Sequence, residues 1–138
     1  MKNKFLALGL LAVAFAGCSK DDDPSIDYDQ LNKKWYYDTT VVNGHSFPYD
    51  DNEECGKDYI QLLADGTYND VDVFECNEYT DTGFWTREGN VITISDGVNS
   101  AQGTVKKLTS TRFEVKTTYD YDGDGNDDTV IERYVSTP

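Results

Sequence analysis

From Trp35 to Ser136 short runs of β-branched and aromatic residues are separated by turn signals about every 8 to 12 residues, the spacing of an all-β sandwich or barrel. No helical period persists over three turns, so long amphipathic helices are not expected. The runs predict strands at Trp35 to Val42, Lys57 to Ala64, Thr67 to Cys76, Tyr79 to Glu88, Val91 to Ser95, Ala101 to Leu108, Arg112 to Tyr121 and Asp128 to Ser136. Eight strands joined mostly by short hairpins describe an antiparallel up-and-down meander. Such a meander can close into a barrel and remove its edges. Ile26 to Lys33, just before the first strand, suits a short helical turn plugging one end.

The chain opens on a different kind of segment. Lys2 and Lys4 make a basic start, Phe5 to Ala16 is an apolar run, and Ala16-Gly17-Cys18 places small residues before a cysteine. The run is too short to span a bilayer comfortably and reads as the apolar region of a secretory signal. "FAGC" at Phe15 to Cys18 resembles the bacterial lipobox, which is cut just before a cysteine that is then lipid-modified. The resemblance implies that residues 1–17 are a removed signal peptide and that residues 18–29 are a lipidated Cys18 with an acidic, flexible tether. Residues 30–138 are then the barrel domain. Two or more acyl chains hold a protein stably on a membrane. "SKDDD" at Ser19 to Asp23 resembles the acidic export tag of some outer-membrane lipoproteins and points to display on the cell surface.

Charge narrows the partners. The chain has 12 Lys and Arg against 26 Asp and Glu, a formal charge of −14, which becomes −16 once Lys2 and Lys4 are removed with the leader. A field of that sign repels phosphate backbones, so nucleic acid is excluded as a partner. It suits cationic or neutral partners and divalent ions, although plain solubility accounts for much of it.

The hairpin around "ADGT" sets an expected register. Asp65-Gly66 reads as a two-residue type I′ turn, which pairs Ala64 with Thr67 and, counting outward, Cys55 with Cys76. The two cysteines then fall in a non-hydrogen-bonded pair, whose Cα separation of about 4.5 Å suits a disulfide. With Cys18 taken by lipid they are the remaining pair, and export permits the bond. Gly56 is the place where a bulge would shift this register by one. The register puts Ile60, Leu62 and Ala64 with Val71 and Val73 on the core side, and Tyr59, Gln61, Asp70 and Asp72 on the wet side. Arg112 to Tyr119 alternates as cleanly, with Phe113, Val115, Thr117 and Tyr119 on one face.

Catalytic constellations are nearly absent: one histidine, no free thiol, no nucleophile elbow and no phosphate loop. The chain is therefore not expected to be an enzyme. Asp70 and Asp72 form the one carboxylate pair worth weighing for acid-base work, and they read more simply as the solvated side of a hairpin. "TYDYDGDGNDDTV" at Thr118 to Val130 places Asp120, Asp122, Asp124 and Asp128 at calcium-loop spacing, but Ile131 occupies the position where an EF-hand needs glutamate. A calcium ion is the one cofactor this stretch suggests. Asp, Gly and Asn are also what a wide hairpin turn requires.

Several stretches together resemble the lipocalin-like domain of exported bacterial lipoproteins: "LNKKW" at Leu31 to Trp35, "LLADGTY" at Leu62 to Tyr68, "GFWTREGNVITI" at Gly83 to Ile94 and the closing Arg112 to Val135 hairpin. Lys33 stands where that family usually has glycine, two positions before the tryptophan. The resemblance implies an eight-stranded lipocalin-like barrel holding a small apolar or amphipathic ligand. Trp35, Trp85 and Phe113 are candidates for ligand contacts, with core packing as the plainer role and Trp35 as a barrel-closing core residue. The rival roles are an interaction module for an envelope protein and, more weakly, a glycan binder.

Overall fold

The computed structural model describes residues 26–138. The expected signal peptide, Cys18 with its expected lipid and most of the expected tether lie outside the described residues. A 3₁₀ turn at Tyr28–Gln30 precedes nine strands: β1 (Lys34–Val42), β2 (His45–Pro48), β3 (Tyr59–Leu62), β4 (Thr67–Phe74), β5 (Asn77–Glu88), β6 (Val91–Ser95), β7 (Ser100–Leu108), β8 (Arg112–Tyr119) and β9 (Asp128–Val135). The sheet runs in the order β2-β1-β3-β4-β5-β6-β7-β8-β9 with every neighbouring pair antiparallel, and β1 also pairs with β9, which closes the sheet. β1 and β3 to β9 make the expected eight-stranded antiparallel barrel.

β2 was not expected. Asn43 (φ 48°) and Gly44 (φ 86°) both sit in the left-handed region, so Val42 and His45 are joined by a two-residue turn of the primed kind. β2 is short, exposed throughout and ends on Pro48, the usual marks of a protected edge. It takes the second half of one β1 edge, at Thr39 to Val42, while β3 takes the first half, at Lys34 to Tyr36.

Because β3 has only four residues, the far end of β4 has no strand beside it on that edge. Asp58 fills the gap. Its carboxylate accepts the Val73 N–H at 2.8 Å and the Tyr49 hydroxyl, its N–H donates to Asn52 Oδ1 at 3.0 Å, and its carbonyl accepts the Tyr37 N–H at 3.2 Å. At 3% exposure it is the one buried charged residue among those described, and its acceptors are satisfied as burial demands.

The β3–β4 register differs from the expected one by a single residue. Leu63 N–H bonds Thr67 O at 2.9 Å and Gly66 N–H bonds Leu63 O at 3.1 Å, so the loop is Ala64-Asp65-Gly66, three residues long, with Gly66 at φ 86°. The Asp65 carboxylate accepts the Thr67 N–H (2.9 Å) and hydroxyl (2.6 Å), which favours this longer loop. Ile60 therefore faces Asp70 and Leu62 faces Tyr68. A one-residue slip exchanges the two faces of a strand. Asp70 turns toward the barrel interior with Ile60 and Leu62, while Val71 and Val73 pair with the other face, where Tyr59 lies.

The Cys55–Cys76 disulfide is present, with Cα atoms 5.7 Å apart, but it does not cross paired strands. Cys55 lies in the segment before β3. Cys76 and Glu75 form the two-residue β4–β5 turn, at φ 61° and 52°. Glu53 accepts the N–H groups of both turn residues, at 2.8 and 3.0 Å, and supports a conformation that side chains rarely adopt.

One barrel end is filled. Trp35, with no exposed surface, packs on Phe113 at 5.4 Å between ring centroids and donates its indole N–H to Leu31 O. Leu31, Val105 and Leu108 complete this floor. The packed region reaches back to Ile26, which bridges Leu108, and the Asp27 N–H bonds Leu108 O at 2.7 Å. Lys33 lies over the Trp35 ring at 4.6 Å and donates to Ser110 O at 2.7 Å, an aliphatic stem capping an apolar end.

Candidate ligand-binding site

Above the Trp35–Phe113 floor the barrel holds a cavity of about 220 Å³. Its two regions differ in chemistry. Ile60, Leu62, Ile92, Phe113 and Val115 supply apolar wall; Asp70, Glu132, Thr117 and four tyrosines supply polar groups. The alternation of β8 delivers Phe113, Val115, Thr117 and Tyr119 to the inside, and the partner alternation of β9 delivers Tyr134 and Glu132.

The polar groups are connected. Tyr37 packs on Tyr134 at 5.1 Å, and Tyr134 on Phe113 at 5.5 Å, so three rings follow one another across the wall. The Tyr37 hydroxyl donates to Asp70 Oδ1 at 3.0 Å and the Tyr68 hydroxyl to Oδ2 at 3.3 Å. The Thr40 hydroxyl donates to Glu132 Oε2 at 2.8 Å, while Oε1 accepts no hydrogen bond from any described residue. The Thr117 hydroxyl oxygen is buried and has no partner.

Burial sets the protonation tendencies. It raises the Asp70 carboxyl above its ordinary range against the opposing effect of the two tyrosine hydroxyls, and nearby Asp81 and Asp58 raise it further. It raises Glu132 likewise, opposed by Thr40. The phenols of Tyr37, Tyr68 and Tyr134 are pushed well above their ordinary value, first by burial and then by neighbouring negative charge, so they remain donors at neutral pH.

Among the described residues no lysine, arginine or histidine lines the cavity. The ion pairs among the described residues, Arg112–Asp38 and Arg133–Glu114, involve neither Asp70 nor Glu132. Tyr37 and Asp70 are shared with a second, open cleft, to which Asp51, Asp58, Asp72 and Asp81 also contribute. An acidic surface thus adjoins the cavity where β3 stops short.

Of the three aromatic candidates, only Phe113 lines the cavity. Trp35 lies in the floor, as its reading as a barrel-closing core residue anticipated. Trp85 is half-buried against the core and donates its indole N–H to Leu63 O at 2.8 Å. Sequence reasoning passed over Tyr37, Tyr68 and Tyr134, and it set Asp70 on the wet face. Glu132 was findable: Val130, Glu132 and Tyr134 alternate, so one acid stands on an otherwise apolar face.

The acidic loop lies between β8 and β9. Ligand oxygens of Asp120, Asp122 and Asp124 lie within 4.8 Å of one another. Each carboxylate also holds the loop: Asp120 accepts the N–H groups of Gly123, Asp124 and Gly125, Asp122 that of Asp124, and Asp124 that of Asn126. Asp128 is engaged elsewhere, with the Tyr121 N–H and the Asn43 amide.

Residues 31–115 match a family model described as the lipocalin-like domain. The chain belongs to the lipocalin-like domain family. Among solved structures, this lipocalin-like chain is similar to a lipocalin-like protein from Bacteroides uniformis, with a TM-score of 0.57 at 14% identity over 78% of this chain and 99% of the other. It is also similar to the bovine lipocalin allergen Bos d 2, with a TM-score of 0.50 at 15% identity over 81% and 76%. At these identities the likeness concerns the fold alone. No protein of curated function matches the lipocalin-like chain in sequence.

Proposed function

We propose that this lipocalin-like protein is a non-enzymatic, membrane-anchored lipoprotein of the outer membrane, held by Cys18 and binding a small amphipathic molecule inside its barrel. The observation that carries the reading is the cavity itself, apolar over the Phe113 region and polar around Asp70 and Glu132. A void of about 150 Å³ lined by hydrocarbon binds benzene, so about 220 Å³ suits a molecule of one ring and a short substituent. The disulfide supports an exported location, because such bonds persist in oxidising compartments. The gathering of Asp120, Asp122 and Asp124 supports a weak calcium site that would order the β8–β9 connection rather than perform chemistry.

Native mass spectrometry of the purified protein tests the binding reading. A co-purified organic mass that is lost when Ala101→Phe obstructs the exposed rim of the cavity is the expected result. A bare protein mass, together with no shift on incubation with small aromatic compounds, overturns it. For the anchor, Cys18→Ser should move the protein from the membrane fraction to the soluble one; unchanged partitioning would reject lipidation at that residue.

A further inference from the structure

We propose that the bound molecule is a small organic cation, an amine or ammonium compound carrying one compact apolar group. This deepens the cavity-binding reading and rests on it. Asp70 and Glu132 both face the cavity, and among the described residues neither has a basic partner and no cationic side chain lines the wall. Two partly buried carboxyls without a counter-charge are unfavourable, and a cation brought in by the ligand reduces that cost.

The remaining groups fit the same chemistry. Asp70 is held by two hydroxyl donors, which leaves each of its oxygens a further acceptor direction. Glu132 Oε1 is without a donor, and the buried Thr117 oxygen has none either. An ammonium group brings donors and no acceptor, the complement of these three positions. Tyr37, Tyr68, Tyr119 and Tyr134 add ring surfaces whose negative faces attract cations. Burial raises both carboxyls, so a bound cation would draw them back toward the ionised form.

The approach to the site has the same sign. The cleft sharing Tyr37 and Asp70 with the cavity is lined by Asp51, Asp58, Asp72 and Asp81 and, among the described residues, by no basic one. Clefts of one charge concentrate ligands of the other and repel like ones, so carboxylate-bearing amphiphiles such as fatty acids are disfavoured here. The apolar floor and the ring surfaces point to an organic cation rather than a metal ion, which would want oxygen ligands on every side.

Three probes of one shape separate the possibilities: phenethylamine, 2-phenylethanol and phenylacetate, titrated into the purified protein by calorimetry at neutral pH. Phenethylamine is expected to bind at least tenfold more tightly than the alcohol and phenylacetate not at all, with Asp70→Asn and Glu132→Gln each reducing the preference for the amine. Amine and alcohol binding equally well, with both lost in Ala101→Phe, would overturn the cation assignment and leave the cavity reading standing. If none of the three binds, both fall. The wild-type comparison needs no variant, so a misfolded substitution would not rescue the proposal.

Discussion

Ile60 and Asp70 face each other across β3 and β4 and both line the cavity. A branched hydrocarbon and a carboxyl thus share one patch of inner wall. Tyr37 reaches the same carboxyl from β1, beside the point where β3 gives way to the Asp58 segment.

Protonation of Asp70 and Glu132 should couple stability and binding to pH with opposite signs. Both carboxyls are raised in the folded state, so each contributes stability fully below its unfolded value of about 3.8 or 4.5, and that contribution is lost as pH rises through the folded value. The groups bearing on them are Tyr37, Tyr68, Asp81 and Asp58 for Asp70, and Thr40, Tyr119 and Tyr134 for Glu132. Urea unfolding across pH 4 to 8 should show the double variant Asp70→Asn, Glu132→Gln gaining on the wild type as pH rises. Amine affinity should instead strengthen over the same interval. A constant stability difference would contradict the linkage.

Replacing Thr117 by valine should stabilise the free protein. The hydroxyl oxygen is buried without a partner, and removing such a group while keeping its shape recovers about 1 kcal/mol. Thermal unfolding reads the change, and a lowered midpoint would mean that the hydroxyl is satisfied in solution.

Asp58→Ala should cost about 3 kcal/mol. The change strands the Val73 N–H and the Tyr49 hydroxyl, each a donor whose loss of a partner costs about 1 to 3 kcal/mol. Asp58→Asn keeps one acceptor oxygen and should cost markedly less. Equal losses in the two variants, measured by denaturant midpoint, would remove the carboxylate from this bridging role.

Cutting the disulfide with Cys55→Ser and Cys76→Ser together should lower stability by about 3 kcal/mol, the loop-closure value for a separation of 21 residues. Reduction of the wild type should produce the same shift in urea midpoint. No shift in either would mean that the loop is held without the bond.

Calcium at about 10 mM should raise stability by about 1.4 kcal/mol if the Asp120, Asp122 and Asp124 site has a dissociation constant of about 1 mM. Asp122→Asn, which removes charge but spares the three N–H groups held by Asp120, should abolish the increment. A thermal midpoint indifferent to calcium and to chelator would dismiss the ion.

Most of the barrel was legible because its strands obey local rules. β8 alternates, Gly89-Asn90 separates Trp85 from Ile92, and most strands end where turn residues gather, the Glu75-Cys76 turn after β4 being the exception. The site was less legible because it depends on register, which a single loop residue changes. "ADGT" is compatible with two-residue and three-residue turns, and the Asp65 side chain bonding to Thr67 accompanies the longer one. β2 escaped notice although Asn43-Gly44 is a strong hairpin signal, since "HSFP" has neither alternation nor an apolar face. The disulfide was foreseen from an incorrect register: the segment before β3, held against the β4–β5 turn by Glu53, brings the cysteines together even though no strand pairing does.

The three residues of the β3–β4 loop also bear on how such a barrel diversifies. A two-residue turn at Asp65-Gly66, with Ala64 drawn into pairing with Thr67, would slip β4 by one residue and present Val71 and Val73 to the interior in place of Asp70 and Tyr68. Such a slip would exchange a polar chamber for a greasy one, and β5, which pairs with β4 from Thr67 to Phe74, would have to follow it. The chemistry of the chamber therefore hangs on the turn that Asp65 holds as much as on the residues of β4 themselves.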